Sequence, residues 1–482
     1  MILQKECYTY RSWGKAAVIT SIFFILFLNH NSITRLTKAL IERINNNLEV
    51  PATLPHYSAF FLITTFILIL WKIINQKEEP RTLNRLIGFY AIGMVGITFG
   101  IMLFPLVGRL TNANYQPQDN FAETWQIRLK NETDLLENQG QLPDIYYIIL
   151  DGYGRLDVLK EFYGFDNQQF QKSLTDMGFL IANDSLSNYK ATALSISSSL
   201  NMDYINWIST QTGNEDDYIP VFNIIEHNRV FEQLQRLGYR TNTFATGFAA
   251  TEIETVDQVF RPSLYPNEFE TLLIYETPIG LLWNSKLHDI HRERIEFTLR
   301  NLASAGNQPG PDVTFAHIVS PHPPFVFGAN GESITPNRPY TIFDGSDFLE
   351  MGSIEEYRTG YINQLKYLNQ VVLETLREIL QNSNTPPIII IQGDHGPGLQ
   401  LNHEVLEESN LFERYPILNA FYIPCATNDD IPDDITPVNS FRYVFNACFH
   451  AGLPYLENRQ YFSPNAIPFR ITDVTEQITQ NK

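Results

Sequence analysis

Long apolar runs open the chain, and short ones follow. Leu86 to Val107 is long enough, at about 1.5 Å per helical residue, to cross a bilayer core of about 30 Å; Tyr57 to Ile74 nearly is. Lys72 lies near the end of the second run, where its stem lets the ammonium reach the headgroups. Ala16 to Leu28 is shorter and follows Lys5, Arg11 and Lys15, as a signal peptide would. No small-x-small cleavage site follows Leu28, so it reads as a signal-anchor span extended toward Trp13. Residues 1–110 are therefore expected to form a membrane domain of three transmembrane helices, buried core helices being the alternative for such runs.

Basic residues flank the runs unevenly. Lys5, Arg11 and Lys15 precede the first, and Lys72, Lys77, Arg81 and Arg85 connect the second to the third. Both clusters belong on the cytoplasmic side, which puts the chain beyond about residue 110 outside. Arg35, Lys38 and Arg43 in the first connection run against that rule. Residues 111–142 turn to Asn, Gln, Glu and Pro, with a short helical pattern from Trp125 to Leu136, and read as a linker.

From Pro143 the periodicity changes again, to short apolar runs alternating with helical ones. Strands are expected at Ile145 to Leu150, Gly178 to Ala182, Tyr239 to Phe244, Val313 to Val319 and Pro387 to Ile391. Helices are expected at Leu156 to Tyr163, Asn167 to Met177, Asn228 to Leu237 with Gly238 closing it, His288 to Leu302, and Ser353 to Leu380. The predicted fold class is α/β, with a mostly parallel, doubly wound sheet in residues 143–482.

Charge sharpens the division. Residues 1–110 carry 11 Lys/Arg against 5 Asp/Glu, and the remainder 23 against 48. So acidic an outer part argues against nucleic acid as a partner, although a local basic pocket can still hold a phosphate. Only Cys7, Cys425 and Cys448 occur, which excludes a disulfide scaffold or a Cys-rich zinc module. Cys425 and Cys448 can pair in an oxidising compartment or remain two buried thiols.

Four stretches carry candidate chemistry. Pro387-Ile-Ile-Ile-Ile-Gln-Gly-Asp394-His395-Gly ends a strand buried on both faces in a turn bearing a carboxylate beside an imidazole. Tyr146-Tyr-Ile-Ile-Leu-Asp151-Gly152 repeats the strand-then-Asp pattern, with Gly allowing close backbone approach. Thr192 opens a helical run rich in small residues, where free N–H groups and the dipole favour an alkoxide and an incoming oxyanion. Phe315-Ala-His317-Ile-Val-Ser-Pro-His322-Pro-Pro-Phe325 fixes His322 in a stiff turn at the sheet edge, while His317, inside the strand, reads as a satisfied core histidine. Each has an ordinary structural reading, as turn residue or helix cap. Their shared location on one sheet edge does not follow from those.

The order strand-Asp-Gly, Thr-x-x-Ser, His-x-x-x-x-His and Asp-His-Gly resembles the sulfatase-like branch of the alkaline phosphatase superfamily. The membrane-anchored arrangement is similar to lipoteichoic acid synthases and phosphoethanolamine transferases. The likeness spans about residues 143 to 470, including Glu413-Arg-Tyr-Pro-Ile-Leu-Asn-Ala420 and Asn439-Ser-Phe-Arg442. It implies that Asp151, Thr192, Asp394 and His395 bind one divalent metal ion, Zn or Mn, with Mg or Ca as alternatives. It further implies that Thr192 is the nucleophile, that His322 contacts the oxyanion or leaving group, and that His403 lies on the substrate side.

One departure narrows the chemistry. Sulfatases of this group need Cys or Ser followed by x-Pro-x-Arg, whereas residues 192–196 read Thr-Ala-Leu-Ser-Ile. The sequence thus points to a membrane-anchored phospho-transferase or phosphodiesterase outside the cytoplasmic membrane, acting on a phospholipid or glycan-type substrate at the bilayer. A sulfatase or phosphatase of the same superfamily, and a non-catalytic binding protein that kept the fold, are the alternatives.

Overall fold

The computed structural model describes residues 54–75, 142–212, 217–306, 310–426 and 431–479, with isolated positions between 23 and 37. The chain divides into two compact units. One takes in residues 1–120, 269–285 and 337–339, and the other residues 121–268, 286–336 and 340–482.

A seven-stranded sheet organises the second unit. Its strands are β1 (Ile145–Leu150), β2 (Leu180–Ile181), β3 (Arg240–Phe244), β4 (Gln258–Phe260), β5 (Asp312–Ile318), β6 (Ile388–Gln392) and β7 (Asn419–Tyr422), in the order β2-β7-β6-β1-β5-β3-β4. From β6 to β4 every pairing is parallel; β7 runs antiparallel to β6, and β2 antiparallel to β7. The central strands are buried throughout, which is why Ile-Tyr-Tyr-Ile-Ile-Leu and Ile-Ile-Ile-Ile-Gln show no alternation of polar and apolar residues.

Strand periodicity sorts those side chains into two cores. Ile145, Tyr147 and Ile149 of β1 join Ile388, Ile390 and Phe315 beneath the helices Thr192–Asn201 and Pro437–Phe449. Tyr146, Ile148 and Leu150 join Ile389, Ile391 and Ile318 beneath Leu156–Tyr163, Gln168–Asp176 and the long helix Ile354–Asn382. Helix caps follow local rules. Asn228 accepts the backbone N–H of Phe231 ahead of Arg229–Arg236, and Ser353 that of Glu356 ahead of Ile354–Asn382.

The parallel core agrees with the sequence expectation, and the edges differ. Gly178 to Ala182 contributes only the two residues of β2, and β7 has no counterpart in the predicted strands, being four residues long and paired only at this antiparallel edge. The helix expected from His288 begins at Ile279, and its first turns carry the exposed apolar residues Ile279, Leu282 and Trp283. Cys425, just after β7, and Cys448, in helix Pro437–Phe449, form a disulfide with Cα atoms 5.4 Å apart.

In the first unit, helix Leu54–Asn75 takes in the second predicted span, and its Phe61, Leu62, Phe66 and Leu68 are exposed. The run Leu86 to Val107 and nearly all of Ala16 to Leu28 and of the linker 111–142 lie outside the described residues. Among the described residues no helix is long and apolar enough to cross a membrane.

Candidate active site

Three parallel neighbours, β5, β1 and β6, bring their C-terminal ends together. Asp151 leaves β1 with its N–H donated to the Ile318 carbonyl, and its own carbonyl accepts the His322 N–H, both at 3.0 Å. Gly152, at φ +75°, then turns so that its N–H reaches Asp394 Oδ1 at 3.1 Å. That backbone conformation is strained for any residue with a Cβ. Gly393 is needed for a different reason: a Cβ there would stand 2.5 Å from the Tyr153 carbonyl oxygen. The two Asp-bearing turns can therefore press against each other.

Their side chains converge. Nε2 of His395 lies 3.2 Å from Asp394 Oδ2 and 3.5 Å from Asp151 Oδ1, while Nε2 of His317 lies 3.3 Å from Asp151 Oδ2. One ligand atom from each of Asp151, His317 and Asp394 falls within 4.8 Å of the others. Asp151 Oδ1, Asp394 Oδ2 and His317 Nε2 are buried without a hydrogen-bond partner. Two buried carboxylates with orphaned oxygens facing one point are costly unless a cation completes them. Nδ1–H of His395 donates to the Gly396 carbonyl at 2.9 Å, which turns the Nε2 lone pair toward that point. Nδ1 of His317 shares a hydrogen bond with Thr251 Oγ1 at 2.8 Å, which fixes its ring with Nε2 toward Asp151. Oxygen donors with imidazole nitrogen can coordinate a divalent metal ion.

Thr192 enters from one side of the sheet. It is the first residue of helix Thr192–Asn201, half-buried, with Oγ1 3.0 Å from His395 Nε2. The preceding Ala191 offers no capping side chain, so the first-turn N–H groups are free to meet an anion. Ser195, one turn on, donates to the Asp394 carbonyl at 2.7 Å, and Ser187 donates to the same oxygen at 2.5 Å. The Thr-x-x-Ser spacing thus ties the helix to the Asp394 turn.

A second buried set backs this one. Asp344 Oδ2 accepts from Arg414 Nη1 at 2.8 Å and lies 3.9 Å from His322 Nε2; its Oδ1 accepts from the Tyr357 hydroxyl at 2.6 Å. His322 donates Nδ1–H to the Pro323 carbonyl at 2.7 Å. Burial would lower the His322 pKa, but the carboxylates of Asp151 and Asp344 outweigh it and raise it above the ordinary value. His403 donates Nε2–H to the Asp344 carbonyl at 3.1 Å, and burial, with Lys190 and Arg414 nearby, pushes its pKa down to about 3. Lys190, two residues before Thr192, is buried with Nζ on the His403 carbonyl and Asn465 Oδ1, and burial brings its pKa down to about 7.

Of the residues singled out from the sequence, His395 lies within 3.5 Å of Asp151 and Asp394 and 3.0 Å from Thr192, His322 lies 3.9 Å from Asp344, and His403 bonds the Asp344 carbonyl. His317 differs from its reading as a satisfied core histidine: its inner nitrogen faces the acidic cluster. It is the penultimate residue of β5, in register with Ile149 two residues before Asp151, a neighbourhood set by strand pairing. Asp344 and Lys190 carried no signal, because the contacts that tie them to the site reach Arg414, His403 and Asn465, far away in sequence.

The sequence model of the Sulfatase family matches residues 143–416. No curated protein matches the chain. Among solved structures, the zinc complex of the C-terminal periplasmic domain of EptC from Escherichia coli is 13% identical, covering 72% of this chain and 98% of that one, with a TM-score of 0.46. The lipooligosaccharide phosphoethanolamine transferase A of Neisseria meningitidis, an integral membrane protein, is 12% identical, covering 83% and 76%, at 0.39. The phosphonate monoester hydrolase of Agrobacterium radiobacter is 11% identical, covering 67% and 80%, at 0.41.

Proposed function

This chain belongs to the Sulfatase family, a sulfatase-like hydrolase or transferase built on a metal-type cluster; on that premise we propose that it is a membrane-anchored phospho-transferase or phosphodiesterase that acts outside the cytoplasmic membrane on a lipid-linked phosphodiester. The observation that carries this reading is the 3.0 Å approach of Thr192 Oγ1 to His395 Nε2, at an uncapped helix N-terminus beside two buried, orphaned carboxylate oxygens.

Asp151, Thr192, Asp394 and His395 would hold one divalent ion, with His317 in reach of the same point. Bound there, the ion lowers the pKa of the Thr192 hydroxyl and offsets the charge of an anionic substrate. Thr192 gives up its hydroxyl proton to solvent, Oγ1 attacks phosphorus, the P–O bond to the leaving alcohol breaks, and His322 supplies the proton that this oxygen needs, regaining one from the acceptor in the second step. The N–H groups of the first helical turn receive the phosphoryl oxygens. An acceptor hydroxyl, or water, then attacks the phosphothreonine and frees Thr192. His403 and Lys190 border the substrate side.

Thr at position 192, without the Pro and Arg that formylglycine chemistry requires after it, supports phosphoryl over sulfate transfer. The three apolar runs support anchoring, and the Cys425–Cys448 disulfide suits an oxidising compartment outside the cytoplasm. Chromogenic phosphodiester, phosphomonoester and sulfate ester substrates, given to the wild type and to Thr192→Ala, test the proposal. Diester turnover lost in the variant is expected. Preference for the sulfate ester overturns the phosphoryl reading, and turnover of none, with no metal bound, favours a binding protein.

A further inference from the structure

Exposed large apolar side chains are scattered singly over most of the second unit, as at Ile219, Leu264, Ile354 and Tyr455, which is ordinary for a protein surface. The first unit differs. Between residues 269 and 283, Phe269 (72% exposed), Leu272, Leu273, Ile279, Leu282 (84%) and Trp283 all face outward. They lie on helix Glu268–Glu276 and on the first turns of Ile279–Asn301, joined through Thr277-Pro278. Each helix repeats one spacing: Phe269, Leu272 and Leu273, then Ile279, Leu282 and Trp283, stand at i, i+3 and i+4. That is an apolar stripe, yet Glu268–Glu276 buries none of its residues.

What covers such a stripe follows from its neighbours and its charge. Residues 269–285 belong to the same compact unit as helix Leu54–Asn75, whose Phe61, Leu62, Phe66 and Leu68 form another exposed apolar cluster among the described residues. A unit that exposes apolar stripes on separate segments is matched by an apolar solvent. Between residues 268 and 285 there are three glutamates, Glu268, Glu270 and Glu276, and no Lys or Arg. An anionic leaflet would repel this segment, and a second copy of it would bring glutamates against glutamates. Trp283 has the amphipathic ring that settles at the headgroup level.

We infer that residues 269–285 are an interfacial docking element that inserts Phe269, Leu272, Leu273, Leu282 and Trp283 into a zwitterionic bilayer. The chain thus touches lipid through a segment inserted between β4 and β5 as well as through its N-terminal spans. This inference rests on the anchored reading for its compartment and is independent of the chemistry proposed at Thr192.

The test uses the full chain with Cys7→Ser and Leu282→Cys, leaving the Cys425–Cys448 disulfide in place, labelled with an environment-sensitive fluorophore in phosphatidylcholine proteoliposomes. Loss of emission to brominated phosphatidylcholine, with none to aqueous iodide, is expected, and Phe269→Cys labelled in the same way should repeat it. Quenching by iodide alone overturns the inference. Protection from both quenchers also overturns it, since protein would then be the cover. Flotation with the vesicles separates the two readings: a chain that floats but shows iodide quenching keeps its anchor and loses the docking element, and one that does not float loses both.

Discussion

Asp344 and Arg414 form a buried ion pair, with Oδ2 and Nη1 2.8 Å apart. Arg414 also donates Nε–H to the Lys190 carbonyl and Nη1–H to the Gly396 carbonyl, so one guanidinium ties the segment leading to Thr192 to the turn that follows His395. Removing it leaves the buried Asp344 carboxylate with only the Tyr357 hydroxyl and, at 3.9 Å, His322. Arg414→Met is therefore expected to cost about 3–5 kcal/mol and to lower turnover, because both backbone segments lose a shared support. Chemical denaturation reads the first effect and steady-state kinetics the second. A variant as stable as the wild type would show that the pair has no structural weight.

The Thr192 hydroxyl has no other side chain that could stand in for it. Ser195 is committed to the Asp394 carbonyl, and Ser197 to that of Leu194. Thr192→Ala should lose at least about three orders of magnitude in kcat while its circular dichroism and melting stay near the wild type. Thr192→Ser keeps the hydroxyl and should keep part of the activity. If Thr192→Ala turned over substrate normally, the nucleophile would have to be another group.

Metal content separates the ligands. The wild type is expected to hold about one divalent ion per chain by elemental analysis, and Asp394→Ala to hold almost none, since it removes a buried carboxylate whose Oδ2 accepts no hydrogen bond. His317→Ala is the informative variant. Retention of the ion would make His317 a positioning group for Asp151, and loss would make it a ligand. An ion-free wild type, after dialysis against Zn or Mn, would remove the metal site altogether.

The parallel core was legible because its strands are buried on both faces, so continuous runs such as Ile388–Ile391 announce themselves without context. Asp151 and Asp394 were legible for the same reason, each following such a run. β7 was not, because Asn-Ala-Phe-Tyr is a strand only by virtue of pairing with Ile389 to Gln392 on one side and with β2 on the other. His317 was misread because it belongs to an otherwise apolar strand, as its penultimate residue, and its neighbourhood with the cluster comes from pairing with β1, which sequence does not display. Asp344 was invisible in a Pro- and Asp-rich stretch that has the look of any loop. Its carboxylate acquires meaning only when Arg414, 70 residues on, folds against it.

Glu413 makes stability depend on pH. Its carboxylate is buried, accepting from the Tyr163 hydroxyl at 2.6 Å and the Gln400 N–H at 2.7 Å, and burial outweighs both bonds to push its pKa up from 4.5 to about 7. A carboxyl whose folded pKa lies above its unfolded one binds the proton more tightly in the native state. Its contribution is complete below about pH 4.5 and is lost as pH rises through about 7, a span worth roughly 3 kcal/mol at most. Glu413→Gln is neutral at every pH and should flatten that slope. Denaturation midpoints at intervals from pH 5 to pH 8 are the measurement. The wild type is expected to fall relative to the variant across that range, and parallel curves would mean that Glu413 is already ionised in the folded protein at pH 5.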